Sequence, residues 1–207
     1  MHKEILTTAQ VDLLPLVHIF SKDFGLVGGT AIALQIGHRE SIDFDLFTSE
    51  DFDNKTIRKK IERRRYQIQK IFTDETGQYT ILIDGVHITF FQYDYPIQYI
   101  KDFDKIIAMP ELATLGAMKA FAMGRRPKWK DYVDLYFLLR DHLTLEQINK
   151  RAHQIFGNEY NERIFRIALC YFKDINYAEE VAYKPGYAVD DAIIKKALKK
   201  YSLEWKP

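Results

Sequence analysis

The chain has 207 residues, of which 47% are hydrophobic and 29% charged, with a formal net charge of +1. That balance is too apolar for a disordered chain, and it supplies no global field to draw the protein onto nucleic acid or a membrane. The length suits one large domain or two small ones. A single cysteine, Cys170, excludes an internal disulfide and fits a reducing compartment. The opening Met1-His2-Lys3-Glu4 has no apolar signal core, and no apolar run approaches the ~20 residues of a membrane helix. The expectation is a cytoplasmic protein with no membrane partner.

Val11, Leu14, Val17 and Phe20 recur three or four apart, which predicts a helix over 9–22. Pro15 argues for a start nearer residue 14, because a helix tolerates proline best in its first turn. Residues 24–27 read as a short buried strand, 30–36 as a helix that begins at a glycine pair, and 41–47 as a second strand. A basic helix follows over 54–66. The stretch 55–70 carries Lys55, Arg58, Lys59, Lys60, Arg63, Arg64, Arg65 and Lys70 against the single acid Glu62. Residues 79–83 and 86–91 flank Asp84-Gly85, a hairpin signal. The expected sheet has four or five strands. Beyond Pro110 helical spacing takes over, at 111–123, 130–139, 145–156 and 159–172. Tyr183-Lys184-Pro185-Gly186 interrupts it before a last basic helix over 190–201. A second basic cluster holds Arg125, Arg126, Lys128 and Lys130. The expected organisation is α/β (α+β): a mixed sheet flanked by helices over residues 1–108, then a helical bundle over 109–207.

The chemistry concentrates in two places. Leu26-Val27-Gly28-Gly29-Thr30 is an apolar run ending in two glycines, and Asp43-Phe44-Asp45-Leu46 follows fourteen residues after Gly29. Glycine allows a close backbone approach to a ligand. A helix starting there offers unpaired N–H groups and a positive dipole end to phosphate, with the Thr30 hydroxyl as a further donor. The same sequence also serves as a plain strand-to-helix turn. On a strand, alternate side chains share a face, so Ser41, Asp43 and Asp45 fall together while Phe44 and Leu46 anchor the other side. Adjacent carboxylates repel unless a cation lies between them, and Mg²⁺ takes one or two carboxylates plus substrate phosphates. His38 and Arg39 precede the acids and read as surface residues that can reach phosphate. The second place is Lys119 in Ala117-Met118-Lys119-Ala120, followed by Lys130-Asp131-Tyr132-Val133-Asp134-Leu135. Asp131 and Asp134 are neighbours on one helical face. Lysine suits the neutralisation of triphosphate charge. A solvated lysine and a helix-capping acid are the plainer alternatives.

The string Val27-Gly28-Gly29-Thr30-Ala31…Ser41-Ile42-Asp43-Phe44-Asp45-Leu46-Phe47 resembles the AbiEii/AbiGii-type nucleotidyltransferase toxins, within the DNA polymerase beta-like nucleotidyltransferase superfamily. The later region with Lys119, Arg125, Asp131 and Asp134 resembles that family's second motif. The resemblance spans residues 24 to about 140 and implies a nucleotidyltransferase with its site in a cleft between the two halves. It would move a nucleoside monophosphate from an NTP to an acceptor hydroxyl or phosphate, with Mg²⁺ (or Mn²⁺) held by Asp43 and Asp45. Gly28, Gly29, Thr30, Ser41 and Lys119 would bind the nucleotide, and Asp131 or Asp134 would position Lys119 or the ribose. It also implies the role of a toxin restrained by an antitoxin, acting in some members on tRNA ends. The basic stretch 55–70 fits an RNA acceptor as well as a solvated helix face. Tyr93, Tyr95, Tyr99 and Tyr132 are candidate base-stacking or packing residues.

The chain departs from the superfamily at a third carboxylate, usually placed on a neighbouring strand. Here His87, Thr89 and Phe91 share that face, with Asp84 and Asp94 only at the strand ends. The number of metals stays open, with His87 as an alternative base or a structural histidine. Two other functions remain open at this point: a small-molecule (aminoglycoside-like) nucleotidyltransferase, and a non-catalytic nucleotide- or RNA-binding module.

Overall fold

The computed structural model describes residues 1–123 and 128–204. Arg125 and Arg126 lie outside the described residues. The chain divides into two compact units, Met1–Glu111 and Leu112–Pro207.

In the first unit the element order is α1 (Thr8–Ile19), β1 (Gly25–Val27), α2 (Gly28–Ile36), β2 (Phe44–Thr48), α3 (Asn54–Arg63), β3 (Lys70–Glu75), β4 (Gln78–Ile83), β5 (Val86–Gln92), β6 (Lys101–Phe103) and β7 (Ile107–Met109). Helix α1 starts earlier than the proline suggested, because Thr7 and Gln10 close a capping box. Pro15 sits inside it on the exposed side beside Val11, which is itself exposed. The carbonyl that proline leaves without a donor therefore lies on the solvent side. Helix α2 begins at Gly28 and stops at Gly37, which takes the left-handed conformation of a helix terminator.

Five strands form one mixed sheet in the order β1-β2-β5-β4-β3. β2 and β5 are parallel, and the other three pairings are antiparallel. Strands β6 and β7 pair separately. The Asp84-Gly85 hairpin forms with both residues at positive φ, the geometry that a two-residue turn requires. The two faces of the sheet differ by alternation. Phe44, Leu46, Tyr79, Ile81, Ile83, Ile88 and Phe90 are buried, whereas Asp45, Thr80, His87 and Thr89 are half-buried. Phe20 and Phe24 set their rings edge-on against Phe90, at 4.8 and 5.3 Å between centroids. Lys60 of α3 lies over the Phe20 ring and pairs with Asp23. The basic helix is thus seated beside α1, on the apolar side of the sheet.

The second unit holds α4 (Leu112–Met123), α5 (Trp129–Asp141), α6 (Leu145–Phe156), α7 (Glu162–Cys170) and α8 (Asp191–Leu203). Helix α4 packs on α6, where the Phe121 and Phe156 rings stack 3.9 Å apart. Helix α5 is buried along nearly its whole length. Lys128 and Lys130 near its start both pair with Glu179 of the following irregular segment. No helix among the described residues is long and apolar enough to cross a membrane.

Phe90 is fully buried under two aromatic neighbours. Phe90→Ala is therefore expected to lower stability by about 3–5 kcal/mol, read as a shifted urea-denaturation midpoint. Val11→Ala, on the exposed side of α1, should change it by less than about 0.5 kcal/mol.

Candidate active site

Two rows of side chains cross the half-buried face of the sheet. In the first, Asp45 on β2 is registered with Val27 of β1 and Thr89 of β5, and Thr89 with Thr80 of β4. In the second, His87 of β5 is registered with Leu82 of β4, and Leu82 with Lys70 of β3. Asp43 completes the second row, its Oδ1 lying 3.2 Å from His87 Nδ1. His87 and Thr89 are two apart on one strand, so they share a face. Asp43 and Asp45 are therefore on the same side of the sheet. Strand β2 begins only at Phe44, one residue later than Asp43 and three later than the sequence reading. Residues 41–43 are instead an irregular lead-in, where alternation breaks: Ser41 is buried and Ile42 is exposed.

That lead-in is held by α2. Thr30 Oγ1 donates to the carbonyl of Asp43 and lies 2.9 Å from Ser41 Oγ. Both hydroxyls are buried. The Thr30 hydroxyl, expected to face a phosphate, is turned inward and fixes the backbone that carries Asp43. Side chains approach both glycines closely, and Gly28 also takes left-handed backbone. Gly28 has φ +73°, and a Cβ there would overlap Asp45 Oδ2; a Cβ on Gly29 would come within 2.5 Å of Arg39 Nη2 and 3.3 Å of Ser41 Oγ. The bare backbone of the turn thus lies directly against the Asp45 carboxylate and the Arg39 guanidinium.

Arg39 and His38 correct the sequence reading. Both were expected at the surface, and both are buried, at 2% and 0% exposed. Arg39 Nη1 donates to the carbonyl of Glu40 at 2.8 Å. The available signal was their position after Gly37, a helix terminator that turns the chain back toward the glycine pair. A buried guanidinium beside the first turn of α2 adds positive charge where the helix already favours anions.

The donor set fits Mg²⁺. Asp43 and Asp45 offer hard carboxylate oxygens on one side of the sheet, and among the described residues no group of three metal-binding side chains forms. Two carboxylates, with the remaining positions left to phosphate and water, is the usual protein contribution to a magnesium site. Thr89 occupies the position beside Asp45 on β5 and supplies no acid.

In the helical unit, Lys119 of α4 reaches two acids of α5. Its Nζ bonds Asp131 Oδ1 and lies 3.0 Å from Asp134 Oδ2. Asp134 is fully buried and Asp131 nearly so. Asp131 Oδ2 is also buried and has no hydrogen-bond partner among the described residues. Asp131 and Asp134 are neighbours as the spacing predicted, and the lysine they bond is enclosed rather than solvated. Of the tyrosines, Tyr132 is buried, and that burial pushes its hydroxyl up to about 12. Tyr99 packs its ring on Gly25 and donates to the carbonyl of Phe47. Both pack instead of presenting a face to a base.

Two substitutions check this geometry. Gly28→Ala forces a side chain into left-handed backbone and into Asp45; it is expected to cost about 1–2 kcal/mol and to weaken Mn²⁺ binding measured by electron paramagnetic resonance. Lys119→Ala strands two buried carboxylates and is expected to cost about 3–5 kcal/mol, whereas Lys119→Arg should keep most of that stability in thermal unfolding.

A family model described as nucleotidyl transferase AbiEii toxin, type IV TA system, matches residues 16–106 and 95–206. The chain is similar to an uncharacterized protein of Aquifex aeolicus (strain VF5), 32% identical over 184 residues covering 86% of this chain and 88% of the relative. MenT4, a nucleotidyltransferase toxin of Mycobacterium tuberculosis H37Rv, superposes with a TM-score of 0.62 at 13% identity, covering 94% of this chain and 82% of that one. The JHP933 protein of Helicobacter pylori does so with a TM-score of 0.57 at 14% identity, covering 95% and 91%. At such identities the two superpositions show the fold, and the family match carries the assignment. This chain belongs to the AbiEii nucleotidyl transferase toxin family and is a nucleotidyltransferase.

Proposed function

We propose that the protein transfers a nucleoside monophosphate from an NTP to an RNA acceptor, with pyrophosphate leaving, and that it acts as the toxin of a pair restrained by an antitoxin. The observation that carries the reading is the contact of the bare Gly28–Gly29 turn with Asp45, beside Asp43 on the same side of the sheet. The N–H groups of that turn, with the Arg39 charge behind them, bind the triphosphate. Thr30 and Ser41 hold Asp43 in place. Asp43 and Asp45 would hold Mg²⁺ or Mn²⁺, which neutralises phosphate charge and polarises the α-phosphoryl group when bound. Within the helical unit, Asp131 and Asp134 hold the Lys119 ammonium in place. The family match supports the antitoxin partner and the NTP donor. Of the basic stretch 55–70, α3 lies on the apolar side of the sheet, and the exposed Lys70 on β3, in the row of His87, supports an RNA acceptor through salt-dependent phosphate contact.

Incubation with Mg²⁺, α-labelled NTPs and total bacterial RNA tests this. Label should move to RNA, EDTA should stop the transfer, and Asp43→Asn or Asp45→Asn should slow it by about 10²-fold or more. Tight NTP binding with no transfer to RNA, protein or small molecule would leave only a nucleotide-binding module.

A further inference from the structure

The β3 edge of the working face carries one feature that the donor site does not use. Strand β3 contains a β-bulge between Ile71 and Thr73. Bulges re-aim side chains and are frequent beside active sites. Here the extra residue is Phe72. Its ring lies 4.8 Å from the His87 ring across β4, and Lys70 Nζ lies 4.6 Å from its centroid. His87 in turn contacts Asp43. One continuous strip therefore runs from a candidate metal ligand to the sheet edge: carboxylate, imidazole, phenyl ring, ammonium. Phe72 remains 47% exposed despite these contacts. A lone exposed phenylalanine needs no explanation. This one is set by a bulge onto a histidine of the site, with a cation beside it.

We infer that Phe72 and His87 form a stacking subsite for the terminal base of a single-stranded RNA acceptor, with Lys70 on its phosphate. The inference rests on the nucleotidyl transfer proposed above. Its side of the site follows from the reaction geometry. The triphosphate lies at the Gly28–Gly29 turn, toward β1, so pyrophosphate departs on that side. Attacking and leaving oxygens are roughly in line in phosphoryl transfer, so the acceptor enters from the other side of Asp43 and Asp45, where β5, β4 and β3 lie. An aromatic face with an adjacent cation is the usual combination for an unpaired nucleotide, because every base has a π face and every link a phosphate. Phe47, Phe91 and Tyr93 form a tilted aromatic cluster whose members are half-buried, whereas Phe72 is exposed.

The full-length protein and a labelled RNA octamer test the assignment by fluorescence anisotropy, with ATP affinity measured in parallel. Phe72→Ala should weaken octamer binding about ten-fold or more and retain the wild-type affinity for ATP. Phe72→Trp should bind the octamer at least as well as wild type, with its added emission quenched on binding. An octamer with an abasic 3′ end should bind wild type and Phe72→Ala equally weakly. The inference is overturned if wild type binds no octamer, if Phe72→Ala binds it like wild type, if the abasic octamer binds wild type as tightly as the intact one, or if Phe72→Ala loses ATP instead. Loss of label transfer by the wild-type protein with every NTP and acceptor would overturn the parent reading; a normal transfer with an insensitive Phe72→Ala would overturn the subsite alone.

Discussion

The site is organised by a steric constraint: there is no room for a side chain at positions 28 and 29. A Cβ at either would run into Asp45 or Arg39. That exclusion brings the Cα of Gly28 close against a carboxylate. It also sets the start of α2, because Gly28 adopts a positive φ that directs the chain from β1 straight into the helix. Once α2 is placed, Thr30 reaches the carbonyl of Asp43 and fixes the second acid. Glycine conformation, helix start and carboxylate position are one linked arrangement, and a side chain at either glycine would disturb all of them.

The sheet separates holding from working by alternation. Residues with Phe90 face α1 and bury their area; residues with Thr89 face the site and stay half-exposed. The buried face fixes strand register, since a one-residue slip would expose Phe44, Leu46, Ile88 and Phe90 together. Register then decides that Asp45 stands beside Thr89 and that Asp43 meets His87. The aromatic packing around Phe90 therefore positions the acids, although it touches neither of them.

How much of this could be read from the sequence depended on whether the signal was local. The glycine pair, the acids at 43 and 45 and the Asp84-Gly85 hairpin rest on turn chemistry and period-two alternation, and their elements form close to the expected residues. The strand around Asp43 was overextended, because alternation in composition continues through Ser41 and Ile42 while the backbone does not. Pro15 misled because its cost depends on which carbonyl it strands, and that one faces solvent. His38 and Arg39 looked like surface residues since burial of a cation is settled by distant partners, here a turn ten residues earlier in the chain. Strand β3 escaped notice because an edge strand with one bulge and mostly exposed residues carries no alternation to detect.

The Lys119 cluster obeys a different logic. One ammonium bonds two enclosed carboxylates. Desolvating such a group costs more than the ion pairs return, so well-packed apolar residues would serve stability better. The cluster is thus poorly explained as a stabilising device. Asp131 Oδ2, buried and short of a donor among the described residues, is a group whose cost is relieved only when something supplies a hydrogen bond or a positive charge. A site whose own polar groups stay unsatisfied until a ligand arrives binds that ligand with energy already stored in the fold.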